Sequence, residues 1–126
     1  MPQLKTILSI EDDQLISEMY ARALRKAGYE VDEIATGTKG IAQARAKQYD
    51  LIILDIFIPE QTGIEVLNEL RGPDDSGLAN TKIIIMTNYA QNDTEREMLE
   101  ARVDGYFIKA DITPKTLVAN VERILG

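Results

Sequence analysis

The chain has no cysteine and no histidine, and these two absences remove more chemistry than any other feature of its 126 residues. Without cysteine there is no disulfide, no thiolate metal site and no thiol nucleophile. Without histidine there is no Ser-His-Asp triad, no imidazole acid–base step and no histidine-ligated zinc. Positive charge is also in short supply: 14 lysines and arginines face 21 acids, a net charge of −7. Duplex binding needs a surplus of Lys and Arg on the phosphates, so no nucleic-acid role is expected of this domain. No apolar run is long enough to cross a bilayer, and Met1-Pro2-Gln3 does not open a secretory signal, so a cytoplasmic, membrane-free protein is expected. What is left for chemistry is carboxylates, hydroxyls and lysines.

The chain reads as one domain over residues 1–126, without repeats, low-complexity tracts or linkers. Lys5-Thr6-Ile7-Leu8-Ser9-Ile10 is a buried strand that stops at three acids. Leu15, Ile16, Met19, Tyr20, Ala23, Leu24 and Ala27 then share one helical face, treated as core, and Gly28 closes the helix. Glu30 to Ala35 is a more polar strand suited to an edge, and Thr36-Gly37 opens an Ala-rich helix to about Gln48. Leu51-Ile52-Ile53-Leu54 is the most apolar strand and ends at Asp55. Thr62-Gly63-Ile64-Glu65 is a capping box for a helix to about Arg71, with Gly63 a packing or helix-start requirement. After a polar connection from Pro73 to Thr81, Ile83-Ile84-Ile85-Met86 ends at Thr87. Asn92-Asp93-Thr94-Glu95 caps a helix to about Arg102, and Tyr106-Phe107-Ile108 ends at Lys109. Thr113-Pro114 starts the last helix, with Leu117, Val118, Val121, Ile124 and Leu125 facing inward.

Five strand–helix pairs with doubly buried strands predict an α/β sandwich around a parallel sheet. Ligands of such sheets bind beyond the carboxyl ends of the strands. The residues there are Glu11-Asp12-Asp13, Asp55, Thr87 and Lys109. Asp13 is best explained as a helix cap, but two further acids exceed what capping needs. Neighbouring carboxylates repel, and a hard divalent cation relieves that repulsion. Oxygen-only ligands suit Mg²⁺ or Mn²⁺ better than zinc.

Ile7-Leu8-Ser9-Ile10-Glu11-Asp12-Asp13, Leu54-Asp55-Ile56-Phe57-Ile58-Pro59, Gly63, Met86-Thr87 and Tyr106-Phe107-Ile108-Lys109 together resemble the receiver domain of two-component response regulators. The match runs in order over essentially the whole chain. The resemblance implies a flavodoxin-like three-layer sandwich with strand order 2-1-3-4-5 and five helices. It makes Asp55 the phosphoacceptor, receiving a phosphoryl group from a sensor histidine kinase or histidine phosphotransfer protein. Glu11, Asp12, Asp55 and the backbone carbonyl of Phe57 become ligands of Mg²⁺ (Mn²⁺ as substitute), Asp12 directly and Glu11 through water. Lys109 pairs with the phosphoryl group, Thr87 hydrogen-bonds it, and Tyr106 is the aromatic switch that follows Thr87. The three acids, Mg²⁺ and Lys109 sum to zero (−3 + 2 + 1), and phosphorylation makes Asp55 about −2, so new donors such as Thr87 must be recruited. The output face is expected over Asn92 to Leu125, in a monomer or a phosphorylation-dependent dimer. The resemblance implies no enzyme in the usual sense, since a receiver catalyses only its own phosphorylation and dephosphorylation. The runner-up is a degenerate receiver serving as a protein-interaction module.

Two other functions fit poorly. A haloacid-dehalogenase-like phosphatase needs a second Asp two residues after Asp55, where Phe57 stands. An FMN carrier offers its phosphate hydroxyls and amides, whereas Glu11-Asp12-Asp13 repels a bare phosphate. Some positions depart from the receiver pattern. Ala110 stands where the family usually has a proline after a cis bond, Asn88 where it has a small residue, and bulky Phe57 and Tyr89 at positions that in the family flank attacking water.

Overall fold

The computed structural model describes residues 4–72, 78 and 80–126. Met1-Pro2-Gln3 and most of the Pro73–Thr81 connection lie outside the described residues. Five strands and five helices alternate: β1 (Thr6–Ile10), α1 (Gln14–Lys26), β2 (Glu30–Ile34), α2 (Gly37–Ala46), β3 (Leu51–Asp55), α3 (Gly63–Leu70), β4 (Lys82–Thr87), α4 (Asp93–Glu100), β5 (Gly105–Ile108) and α5 (Pro114–Leu125). A single 3₁₀ turn, Lys109–Asp111, links β5 to α5. All neighbouring strands are parallel, in the order β2-β1-β3-β4-β5, as the receiver resemblance implies.

Strand side chains alternate between the two faces of the sheet, and each face carries its own core. Leu8, Ile10, Ile52, Leu54, Ile83 and Ile85 pack with Ile41 and Ala44 of α2, Val66, Leu67 and Leu70 of α3, and Leu99 of α4. Ile7, Leu51, Ile53, Ile84 and Met86 pack with Tyr20, Ala21 and Leu24 of α1 and Leu117 and Val121 of α5. Val118, Ile124 and Leu125 lie at the margin of this second core, partly buried. Because the strands are covered on both faces, they read as continuous apolar runs.

Helix α1 corrects the sequence reading. Its buried residues are Ser17, Tyr20, Ala21 and Leu24, whereas Leu15 is 78% exposed, Met19 is 44% exposed and Ala27 is also exposed. The buried stripe therefore runs through a serine, and Met19 is not core. Ser17 is tolerated there because its hydroxyl donates to Oε1 of Glu33 on β2 at 2.8 Å. A buried hydroxyl with a partner costs little, so hydropathy alone aims the helix one position away from its true face.

The predicted caps are present. Asp13, Thr36, Thr62, Asn92 and Thr113 each accept a hydrogen bond from a first-turn amide of the following helix, and Thr62 and Glu65 form the full capping box. Gly28 terminates α1 with φ +103°, a backbone region that other residues rarely enter. Glu60 is held at φ 71° in the β3–α3 loop, where the amide of Gln61 donates back to the carbonyl of Pro59 at 2.9 Å.

Candidate functional site

Strand register brings the chemistry-bearing residues to one level. Ile10 pairs with Leu54, Asp55 with Met86, and Thr87 with Ile108. Glu11 is thereby placed beside Asp55, and Lys109 follows the end of β5 on the far side. Oxygens of Glu11, Asp12 and Asp55 all lie within 4.8 Å of one another. Glu11 and Asp55 are buried, while Asp12 is exposed at the mouth.

Backbone contacts hold these carboxylates. The amide of Asp13 donates to Oε2 of Glu11 at 3.2 Å, and the amide of Glu11 donates to the carbonyl of Ile34 at 2.9 Å. The amide of Phe57 donates to Oδ1 of Asp55 at 3.1 Å, which sets residue 57 alongside that carboxylate. Asp13 spends its own Oδ1 on the amide of Ile16 at 3.1 Å, as a cap. Gly63 is a close-approach residue: a Cβ there would lie 2.2 Å from the carbonyl oxygen of Asp55.

Lys109 unites the two buried acids. Its Nζ donates to Oδ2 of Asp55 at 2.7 Å and to Oε1 of Glu11. Burial pushes the Glu11 carboxyl up to about 7, with Lys109 opposing and the neighbouring Asp55 reinforcing the rise. Burial alone would lower the Lys109 ammonium, but its hydrogen bonds to Asp55 and Glu11 outweigh that and leave it raised. The Lys109–Ala110 bond is trans, as are all peptide bonds among the described residues. Lys109 reaches Asp55 in that conformation.

Thr87 is fully buried, with its hydroxyl donating to the carbonyl of Tyr89 at 3.0 Å. Tyr106 packs against the α2/α3/α4 core, and its hydroxyl donates to the side-chain oxygen of Gln91. Phe57 and Tyr89 are 56% and 73% exposed, on the loops after β3 and β4. The direct Glu11–Lys109 contact and Gln91 were not legible in the sequence, because both pairings depend on tertiary register rather than on a local motif.

The donor set fits a hard divalent cation. All its side-chain ligand atoms are carboxylate oxygens, and with all three carboxylates ionised and one ammonium the formal charge is −2. Among the described residues no helix is long and apolar enough to cross a membrane.

A parallel α/β sandwich with an acid–lysine pocket at its strand ends is the architecture of a signalling receiver, and the family model of the response regulator receiver domain matches residues 7–122. The chain belongs to the response regulator receiver domain family of two-component systems. It is 35% identical over 121 residues to the phosphate regulon transcriptional regulatory protein PhoB of Pseudomonas aeruginosa, covering 96% of this chain and 52% of that protein. The chain thus spans about half the length of that relative. It is 27% identical over 122 residues to the polar-differentiation response regulator DivK of Brucella ovis, covering 97% of both chains. Among solved structures, a CheY-like response regulator receiver domain protein from Methanospirillum hungatei JF-1 superimposes with a TM-score of 0.83 at 30% identity, covering 98% of this chain and 94% of that one. Receivers of this family generally bind Mg²⁺ at such an acidic cluster, and their partners are generally histidine kinases or histidine phosphotransfer proteins.

Proposed function

We propose that this chain is a phosphoacceptor receiver, in which Asp55 takes a phosphoryl group from a phosphohistidine of a sensor histidine kinase or histidine phosphotransfer protein. The observation that carries this reading is the Asp55 carboxylate itself. It is buried, oriented by the amide of Phe57 and by Lys109, and set among the oxygens of Glu11 and Asp12. A carboxylate oxygen of Asp55 forms a bond to phosphorus, the phosphorus–nitrogen bond of the donor breaks, and the departing imidazole keeps the electron pair. The product is an aspartyl phosphate.

Glu11, Asp12, Asp55 and the backbone carbonyl of Phe57 would hold Mg²⁺, with Mn²⁺ as a substitute. When bound, that ion supplies neutralisation of the charge gathered on the phosphoryl oxygens. Lys109, already on Asp55, pairs with a phosphoryl oxygen and balances part of the added charge. The Thr87 hydroxyl exchanges the carbonyl of Tyr89 for another phosphoryl oxygen, and Tyr106 follows that movement. Signal passes to the face made by α4, β5 and α5. The protein turns over no external substrate. It promotes only its own phosphorylation and dephosphorylation, as a cytoplasmic monomer or phosphorylation-dependent dimer, without nucleic-acid contact by this domain.

Intact-mass measurement after incubation with acetyl phosphate, with and without Mg²⁺, tests the reading. One phosphoryl adduct is expected on the wild type only with metal, and none on Asp55→Asn. An adduct persisting on Asp55→Asn, or none on the metal-loaded wild type, would sink it.

The lifetime of the adduct is a separate expectation. Phe57 and Tyr89 stand on the loops after β3 and β4, at positions that in the receiver family flank the attacking water, and we infer that their bulk slows its approach to phosphorus. Phe57→Ala and Tyr89→Ala are each expected to shorten the phosphoryl half-life severalfold, read by the same mass measurement over time. Unchanged or longer half-lives would show that these rings do not shield the phosphorus.

A further inference from the structure

The β4–α4 loop, residues 88–92, is held at both ends. At its start the Thr87 hydroxyl donates to the carbonyl of Tyr89 at 3.0 Å and faces the amide of Tyr89 at 3.4 Å. At its end the hydroxyl of Tyr106 donates to the side-chain oxygen of Gln91 and accepts from the amide of Gln91 at 3.2 Å. The next residue, Asn92, caps α4 by accepting from the amide of Glu95 at 2.9 Å. Tyr106 pairs with Ile85, two residues before Thr87 on the neighbouring strand, so its hydroxyl reaches the loop from below. The two anchors therefore enclose one short segment that begins at a candidate phosphoryl ligand and ends at the helix of the output face.

We propose that the Gln91 side chain is a latch that opposes the phosphoryl-bound arrangement of Thr87 and Tyr106 and sets how readily this receiver switches. The inference rests on the phosphoacceptor reading and adds to it a residue that is neither ligand nor phosphoryl contact. Thr87 cannot carry its hydroxyl toward Asp55 without releasing the carbonyl and the amide of Tyr89, which leaves the start of the loop to shift toward new partners. A loop this short, pinned at its far end by Tyr106, resists that shift until the second anchor opens. The anchor has a constant half and a variable half. The amide of residue 91 donates to Tyr106 whatever the side chain is, but the acceptor for the Tyr106 hydroxyl comes from the glutamine side chain. A half-buried hydroxyl deprived of its acceptor is less firmly placed. While the resting arrangement predominates, whatever loosens it tightens, by the same factor, a ligand that binds only the other one.

The test is titration of the full chain with beryllofluoride in saturating Mg²⁺, followed by calorimetry or fluorine NMR. Gln91→Ala is expected to tighten binding about three- to tenfold, the equivalent of one ordinary hydrogen bond. Gln91→Glu, which offers the Tyr106 hydroxyl a charged and stronger acceptor, is expected to weaken it. In a Tyr106→Phe background both substitutions should fall silent, because the group they act on is gone. That last arm separates a latch from the general effect of a charge near the pocket. If the wild type binds but position 91 changes nothing, or its effects persist without the Tyr106 hydroxyl, the latch is overturned alone. If the metal-loaded wild type does not bind beryllofluoride at all, the phosphoacceptor reading falls and the latch falls with it.

Discussion

In metal-free buffer at neutral pH, Lys109→Met is expected to lower the unfolding free energy by about 3 kcal/mol, the low end of the cost of removing one partner from a buried ion pair. Lys109 is the cation that the structure sets between Glu11 and Asp55, and the three side chains are only 7%, 4% and 4% exposed. Methionine fills much of the same volume but leaves two adjacent carboxylates facing each other with no cation. The low end applies because Glu11 has an escape: burial already holds its carboxyl near 7 with Lys109 present, so protonation removes part of the repulsion. Asp55→Asn should act in the opposite direction. It removes one acid from a two-acid, one-base cluster and leaves Glu11 and Lys109 paired one to one, so stability should hold or rise.

The pH dependence follows from the same cluster. A folded Glu11 near 7 against an ordinary value of 4.5 means that the folded chain keeps a proton the unfolded chain has released. The contribution of this group is therefore present in full below about pH 4.5 and is lost as pH rises through 7. Urea unfolding in the presence of a chelator, at pH 5 and at pH 8, reads this directly. The wild type should lose stability from this group between those points, Glu11→Gln should lose less, and Lys109→Met should lose more. Added Mg²⁺ should restore part of the Lys109→Met loss, since a ligand that binds only the folded state stabilises it. A Lys109→Met protein as stable as the wild type at pH 8 would mean the cluster is wetter than its burial indicates.

The strand ends were legible because a parallel sheet leaves its chemistry in one place. Glu11, Asp12, Asp55, Thr87 and Lys109 each follow an apolar run, and the register puts them at one level. The strand boundaries were legible for a related reason, since strands buried on both faces read as near-continuous apolar runs, with Ser9 of β1 a fully buried exception whose hydroxyl has no partner among the described residues. Helix α1 was less so. Its inward face includes Ser17, satisfied by Glu33 across the gap to β2, and no local pattern announces a partner sixteen positions away. Leu15 and Met19 drew the helix face toward themselves although both are exposed. The Glu11–Lys109 contact spans 98 positions and the Tyr106–Gln91 bond 15, so neither has a sequence period to betray it. Gly63 was legible as a packing or helix-start requirement, but no local pattern tells which of the two holds or how near β3 passes.

That nearness makes Gly63→Ala the most informative single methyl in the chain, and two effects compete in it. In an exposed helix an alanine is favoured over glycine by about 1 kcal/mol. Here the added carbon would sit 2.2 Å from the carbonyl oxygen of Asp55, 2.6 Å from the Cα of Ile56 and 2.9 Å from the carbonyl carbon of Asp55. All three are backbone atoms at the end of β3, so no flexible side chain can swing away. The amide of Gly63 also donates to the carbonyl of Ile56 at 2.7 Å, and separating the segments stretches that bond. Overpacking of this kind costs about 1–3 kcal/mol, more when backbone must move, so the clash exceeds the propensity gain and the variant should be less stable by about 2 kcal/mol. The displaced segment carries Asp55 and Phe57, so phosphoryl uptake from acetyl phosphate should fall about tenfold or more beyond the stability loss, because a misplacement near 1 Å at a reacting group is that damaging. Gly28→Ala is the matched control. Nothing lies within 4 Å of its added carbon, so its cost comes from φ +103° alone, and phosphorylation should be untouched once the protein is folded. A Gly63→Ala protein that is more stable than the wild type, or that phosphorylates normally, would show that β3 and α3 part without disturbing the carboxylate, and that the glycine serves only the helix start.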